Sequence, residues 1–291
     1  MSRGVETVFD GYVDPAIVER SLAPSTFGSM WLDMERPEYP RLPGPTTCDL
    51  LVVGGGYTGL WTALHAAQRN PGQRIVLIEA DRIGWAASGR NGGFVDASLT
   101  HGLANGKTRW PNEIDRLTQM GLENLDGMQD EIGQLGLDVE WQRSGMLAVA
   151  TEPHQVEWLE EAAESGEGRF LSRGEVQSQV HSPTYLAGVF DADTCAIVHP
   201  ARLVFELARA CREAGVRIYE HSNAISLDSG GAALRVDTGG AIVTTRQAVL
   251  ATNVFTSLLR RNRFHTVPVY DYVLATEPLT DAQLDRIGWQ G

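Results

Sequence analysis

The sharpest change of hydrophobic period in the chain falls between residues 50 and 79. Leu50, Leu51, Val52 and Val53 form an unbroken apolar run, partly β-branched, of the kind a parallel strand buries on both faces. Leu60, Ala63, Leu64 and Ala67 then recur at helical spacing, with small residues on the face that must lie against a sheet. Asn70-Pro71-Gly72 breaks that pattern, and residues 74–78 return to a strand. Strand, helix and strand in this order predict a βαβ unit. The glycines between its first two elements, Gly54, Gly56 and Gly59, match G-x-G-x-x-G. In that fingerprint the first permits a tight strand-to-helix turn, the second lets a pyrophosphate approach the backbone, and the third lets the helix pack close to the strand. Tyr57 and Thr58 stand in the first helical turn, where free N–H groups and the positive dipole end suit a diphosphate. Glu79 ends the second strand about twenty residues past the last glycine, where an acidic side chain accepts from ribose hydroxyls. A bare glycine-rich turn explains the glycines, but not the ordered strand, helix, strand and acid around them.

Further along, residues 112–135 predict a long amphipathic helix with Ile114, Leu117, Leu122, Leu125 and Met128 roughly on one stripe. Residues 141–151 predict a strand pair turning at Ser144-Gly145, followed by helices over 153–165 and 173–180 and a strand over 187–190. A second α/β unit begins at Ile197. Pro200 suits the first position of a helix running to Ala214, with Leu203, Leu207 and Ala210 inward and Gly215 ending it. Strands are expected over 216–220, 224–227, 234–237, 241–244 and 248–251, a meander followed by a short apolar strand returning to the first sheet. A further strand is expected over 267–276, and a helix from Thr280-Asp281. Residues 1–47 show little periodicity and hold six prolines, which predicts an extended surface arm, anchored by Trp31.

Composition narrows the chemistry. The chain has 291 residues, 43% hydrophobic and 21% charged, with a net charge of −13. Such a chain buries a large core in one big domain or two interleaved ones. The acidic balance disfavours nonspecific nucleic-acid binding and suits a cationic amine. No run reaches the roughly 18 apolar residues that cross a bilayer, and residues 1–12 carry acids without an apolar signal core. Cys48, Cys195 and Cys211, three and widely spaced, fit reduced thiols in a cytoplasm. His65, His101, His199 and His265 show no metal spacing and no partner acid, so they read as helix-face or loop histidines and no metal is expected. Ser88 and Ser144 lack the G-x-S-x-G context of a nucleophile elbow, which excludes that class of hydrolase. The run 84–93, Gly-Trp-Ala-Ala-Ser-Gly-Arg-Asn-Gly-Gly, reads either as an anion-binding nest or as a flexible surface loop.

Taken together, the fingerprint, the Ser-Gly-Arg-Asn-Gly-Gly loop and the 215–250 meander resemble FAD-dependent amine and amino-acid oxidoreductases of the D-amino-acid-oxidase superfamily. The γ-glutamylputrescine-oxidase-like branch is the most similar, over residues 49–93, 144–151, 196–253 and 268–279. The resemblance implies an α/β fold in which an FAD-binding Rossmann-like βαβ domain is interleaved with a β-sheet substrate domain. Its implied division is an arm over 1–47, FAD-binding parts over 48–136 and 196–261, and substrate-domain parts over 137–195 and 262–291. Gly54, Gly56, Tyr57, Thr58 and Gly59 would hold the pyrophosphate and Glu79 the adenosine ribose. Ser88, Gly89, Arg90, Asn91 and Gly92 would run beside the ribityl chain and flavin ring, and the Ala224 backbone would meet the adenine. Asn253 stands where the family has glycine in its Ala-Thr-Gly turn, and asparagine also tolerates a left-handed backbone.

The implied activity is oxidation of a C–N bond of an amine or amino acid, with hydride passing to flavin N5 and the imine then hydrolysed. No catalytic residue is assigned. Arg90 is either a cation near the flavin or a surface arginine; Tyr270, Asp271 and Tyr272 either line a pocket or pack at a rim. None of the three cysteines sits where relatives attach flavin, so noncovalent FAD is expected. Relatives continue past this point, so the chain is expected to be truncated at the C-terminus and inactive alone. Two alternatives stand beside this reading: an NAD-dependent dehydrogenase, and a noncatalytic short form that binds a nucleotide or partner.

Overall fold

In the computed structural model, which describes residues 14–262, 264–269 and 271–289, three sheets carry the architecture. In chain order the elements are α1 (Pro15–Leu22), β1 (Thr46–Val53), α2 (Tyr57–Arg69), β2 (Ile75–Ile78), β3 (Phe94–Asp96), α3 (Leu103–Arg109), α4 (Ile114–Gln134), β4 (Met146–Ala150) and α5 (Pro153–Glu164). They continue as β5 (Arg169–Leu171), α6 (Arg173–Gln179), β6 (Ala187–Asp191), β7 (Cys195–Ile197), α7 (Pro200–Glu213), β8 (Arg217–Tyr219), β9 (Ser226–Asp228), β10 (Leu234–Asp237), β11 (Ile242–Leu250) and α8 (Asp281–Ile287). The main sheet has the order β8-β2-β1-β11-β10-β9. Its inner strands are parallel, with Leu50 opposite Ile75 and Val53 opposite both Ile78 and Leu250, while β10 and β9 are antiparallel.

The continuous apolar run of β1 is explained by burial on both faces. Leu50 and Val52 point into a core built with Leu60, Ala63 and Leu64 of α2 and Leu203, Leu207 and Ala208 of α7. Leu51 and Val53 point the opposite way, into a second core with Val76, Ile78, Val236 and Val243. Gly59 sets the depth at which α2 lies on the strand, because a Cβ there would meet the Gly54 carbonyl and come within 3.3 Å of Val52. Two smaller sheets sit beside this unit: β3 pairs with β7, and β6 lies between β4 and β5. Helix α4 crosses β3 closely, since Gly121 leaves no room for a side chain against the Ala97 carbonyl.

Several expected boundaries move. Residues 141–151 are not a hairpin: Gln142 exchanges backbone hydrogen bonds with Ile197, at 2.9 and 2.8 Å, whereas β4 pairs with β6. The Ser144-Gly145 turn, with Gly145 at φ 72°, therefore passes the chain from one small sheet to the other. The strands expected over 241–244 and 248–251 are one strand, β11. Its polar middle, Thr245-Arg246-Gln247, mimics a turn, but Thr244 and Gln247 both keep their partners on β1. The arm is not uniformly extended. Asp14 caps α1, Trp31 meets the His199 ring edge-on at 4.9 Å, and Tyr39–Leu42 run beside residues 220–222. Residues 1–13 and Tyr270 lie outside the described residues. The strand expected over 267–276 does not form among the described residues. Val267, Val269, Val273 and Leu274 are 70–90% exposed there, with no neighbouring strand to pair with.

Candidate functional site: a cleft at the strand ends

Three parallel strands, β2, β1 and β11, end at one rim, and the residues just beyond them form a cleft of about 500 Å3. Open α/β sheets place ligands at this carboxyl-terminal edge. Gly54 leaves β1 at φ 115°, a conformation that suits glycine, and its amide donates to the Ile78 carbonyl at 2.9 Å. A Cβ there would strike the Ala251 carbonyl, and one on Gly56 would come within 2.8 Å of Ser88 Oγ. Bare backbone is therefore what allows these segments to converge. Helix α2 begins at Tyr57, so the N–H groups of its first turn have no carbonyl behind them. The Tyr57 amide donates to Ser88 Oγ at 3.0 Å, which ties the loop to the helix start. The Tyr57 phenol donates to the Pro200 carbonyl at 2.9 Å, and burial pushes its pKa up to about 12.

Glu79 stands at the end of β2, buried, with its carboxylate turned toward the glycine loop. Oε2 accepts from the Gly55 amide at 2.6 Å. Oε1 accepts from the Asp81 amide at 3.0 Å and from the Trp85 indole Nε1 at 2.9 Å. Its backbone carbonyl accepts from the Ser222 amide at 2.8 Å, which brings the wall Ser222–Ile225, with Ala224, alongside. On the far side Ala251, Thr252 and Asn253 close the cleft, and Asn253 adopts φ 46°, the left-handed conformation its position calls for. Phe255 stacks obliquely on Trp85, ring centroids 5.4 Å apart.

A second carboxylate braces the cleft from behind. Glu220 is 1% exposed; one oxygen accepts from the Ile83 amide at 2.7 Å and the other from the Tyr39 amide at 3.1 Å. The arm and the loop that follows Glu79 are thus held by one side chain. The loop itself is folded rather than loose: Asn91 donates to the Ala87 and Ser88 carbonyls and accepts from the Gly93 amide. Gly89 is buried under Leu32 of the arm.

The structure gathers Gly54, Gly56, Glu79, Ser88 and Ala224 around one cleft. Tyr57, Thr58 and Gly59 begin the helix at its base, while Arg90 is exposed and, with Gly89, Asn91 and Gly92, stands outside the lining residues. Trp85, Phe255 and Glu220 were not singled out by pattern; an aromatic amid small residues was the available signal for Trp85. Asp271 and Tyr272 are exposed and stand outside the cleft lining. The three cysteines are buried and free, and burial pushes each thiol pKa up, that of Cys211 to about 12. His199 caps α7, its Nδ1 accepting from the Arg202 amide at 3.2 Å. Among the described residues no cluster of three or more His, Cys, Asp or Glu is placed to hold a metal ion, and no helix is long and apolar enough to cross a membrane.

A probable oxidoreductase OrdL from Rhizobium meliloti (strain 1021) is 30% identical over 277 residues, covering 88% of this chain and 62% of the relative. The γ-glutamylputrescine oxidoreductase of Escherichia coli (strain K12) is 33% identical over 216 residues, covering 72% of this chain and 50% of its own length. The crystal structure of glycine oxidase from Geobacillus kaustophilus superposes with a TM-score of 0.63 at 22% identity, over 72% of this chain and 56% of that one, which shows a shared fold. The chain thus spans about half to three fifths of the length of these proteins. Residues 49–291, the glycine turn and the whole cleft included, match the family described as FAD-dependent oxidoreductase (DAO), and to that family the chain belongs.

Proposed function

We propose that the cleft holds FAD noncovalently and that the protein oxidises a C–N bond of an amine or amino acid. The observation that carries this reading is the convergence of Gly54, Gly56, the start of α2 and Glu79 on one rim of a parallel sheet. Those residues fit the group. The side-chain-free backbone at Gly54 and Gly56 admits a pyrophosphate, the first turn of α2 offers it N–H donors, and Glu79 offers an acceptor to the adenosine ribose. Ser88 and the folded loop to Gly92 would lie beyond the pyrophosphate, and the Ala224 backbone would meet the adenine. Cys48, Cys195 and Cys211 stand outside the cleft lining, which favours noncovalent binding.

When bound, flavin supplies the two-electron acceptor for the Cα–H of a neutral amine, the resulting imine being hydrolysed by water. The part of this chain is to bind and orient that acceptor; no side chain is assigned a proton transfer. The relatives' names, γ-glutamylputrescine oxidoreductase and glycine oxidase, favour amines and amino acids as the substrate class. We assign residues 48–136 and 196–261, which carry the six-stranded sheet from Cys48 onward, to the cofactor, and residues 137–195 and 262–291 to the substrate side.

The test is the absorption spectrum of the purified protein, followed by acid precipitation and an amine panel. A yellow protein that releases FAD into the acid supernatant is expected. A colourless protein that binds NAD and no flavin would overturn the cofactor, and flavin retained in the pellet would overturn noncovalent attachment.

A further inference from the structure

A carboxylate has about four acceptor positions, two on each oxygen. At Glu79 three of them are taken within the protein: Oε2 by the Gly55 amide, Oε1 by the Asp81 amide and by the Trp85 indole. Two of these donors are main-chain groups fixed by the glycine turn and by the residues that follow β2. The third is a side chain, and it is itself held. Trp85 lies against Phe255 at 5.4 Å, so the β2 loop and the turn after β11 meet across the cleft mouth. Gly84, just before it, is packed against Val204 of α7 with φ 70°, and its amide donates to the Gly55 carbonyl at 3.2 Å. The indole is therefore placed from both ends, by the backbone that carries it and by the ring it rests on.

We infer that Trp85 is a positioning and specificity-determining residue of the cleft: its indole N–H keeps one acceptor position of Glu79, leaving that carboxylate a single position, on Oε2, for the ligand. The inference rests on the cofactor reading above and deepens it. A vicinal ribose diol presents two donors, yet here only one finds a carboxylate acceptor. The second hydroxyl is left to water. A nucleotide is accordingly recognised through one ribose hydroxyl, and a ribose lacking the other is accepted equally well. Were the indole absent, both positions of the diol would meet the carboxylate, and each hydroxyl would contribute.

The experiment compares ADP with 2′-deoxy-ADP and 3′-deoxy-ADP by titration calorimetry on flavin-stripped protein, the parent and Trp85→Phe. Phenylalanine keeps an aromatic ring beside Phe255 but donates nothing. For the parent, one deoxy analogue binds as ADP does and the other about ten-fold more weakly, the loss of one charge-assisted hydrogen bond. For Trp85→Phe, both analogues bind about ten-fold more weakly than ADP. A parent that loses affinity for both deoxy analogues overturns the inference, as does a Trp85→Phe variant with the parent's selectivity. If Trp85→Phe does not fold, Trp85→Leu, which also removes the indole donor, takes its place in the comparison, and a parent that loses affinity for both deoxy analogues still overturns the inference. A merely structural role for Trp85 would scale all three affinities together and leave their ratios unmoved. A parent that binds neither ADP nor FAD fails the cofactor reading itself, a different outcome from wrong selectivity with tight ADP.

Discussion

Residues 50–53 and residues 267–274 are both rich in valine and leucine, and they end in opposite states. The first run is buried on two faces, with hydrogen-bonded strands on either side. The second carries Val267 at 82%, Val269 at 90% and Leu274 at 74% exposure, with no strand beside it among the described residues. Pro268 and Asp271 weaken the second run's preference for a strand, and it also lacks the neighbours that the first run has. A strand is a property of a pair, and its stability is the packing and the ladder it shares. The cleft inherits its precision from the first situation. Gly54, Glu79 and Ala251 each follow a strand locked against the next.

The strongest way to break that contrast is to remove side chains from both runs. Leu51→Ala, at a fully buried site, is expected to lower stability by about 2–5 kcal/mol, whereas Val269→Ala is expected to change it by less than about 0.5 kcal/mol. Urea denaturation of the two variants measures both, and comparable losses would show that the second run packs as tightly as β1.

A smaller effect is expected at Glu79→Gln, which sharpens the comparison from within the cleft. Three donors converge on this side chain, so the amide of glutamine must turn its NH2 toward one of them. The loss is expected to be about 1–3 kcal/mol in FAD affinity with the fold retained. Equilibrium dialysis against FAD and far-UV circular dichroism read the two separately; unchanged affinity would remove Glu79 from the site.

The smallest effect concerns the helix start behind the cleft. Burial lowers the pKa of His199 below its ordinary 6.5, with Glu140 opposing and Arg202 assisting. Because the folded value is the lower one, the unfolded chain takes up the proton first, and stability falls as pH drops below about 6.5. Protonation also places a hydrogen on Nδ1, the atom that accepts from the Arg202 amide. The effect is at most about 1 kcal/mol, typical of a helix cap. Melting temperatures of the parent and His199→Asn between pH 7 and 5 test this: the parent should lose stability more steeply, and parallel curves would exclude His199 as the source.

How much of this was legible in the sequence depended on how near each partner lay along the chain. The β1–α2–β2 unit was readable because its strands pair with one another across a single helix, and the glycine spacing marks where backbone must be bare. The 141–151 segment was misread because an apolar run announces a strand without naming its mate, and Gln142 finds Ile197 far along the chain. The polar stretch Thr245-Arg246-Gln247 interrupts the apolar pattern and splits the expected strand in two, although Thr245 and Gln247 keep partners on β1. The three-residue strands β3 and β5 are too short to show any period. At the site, Glu79 was legible from its offset from the glycines. Its partner Trp85 was not, because the meeting of indole and carboxylate depends on how the loop folds back, and the spacing of the two residues does not specify it.

Glu220 gives the molecule a timetable. Its two oxygens join amides that precede it in the chain by 181 and 137 residues. During synthesis at roughly 5–20 residues per second, the Ile83 amide waits roughly 7–27 s for that carboxylate to be made. The glycine turn and Glu79 emerge early, but the brace behind them arrives only after α7 and β8. The front of the cleft is therefore made before its brace, and its remaining walls, residues 222–225 and 251–258, are made later still. Before residue 220 is made, the glycine turn and Glu79 therefore stand without the brace and without the walls that complete the cleft.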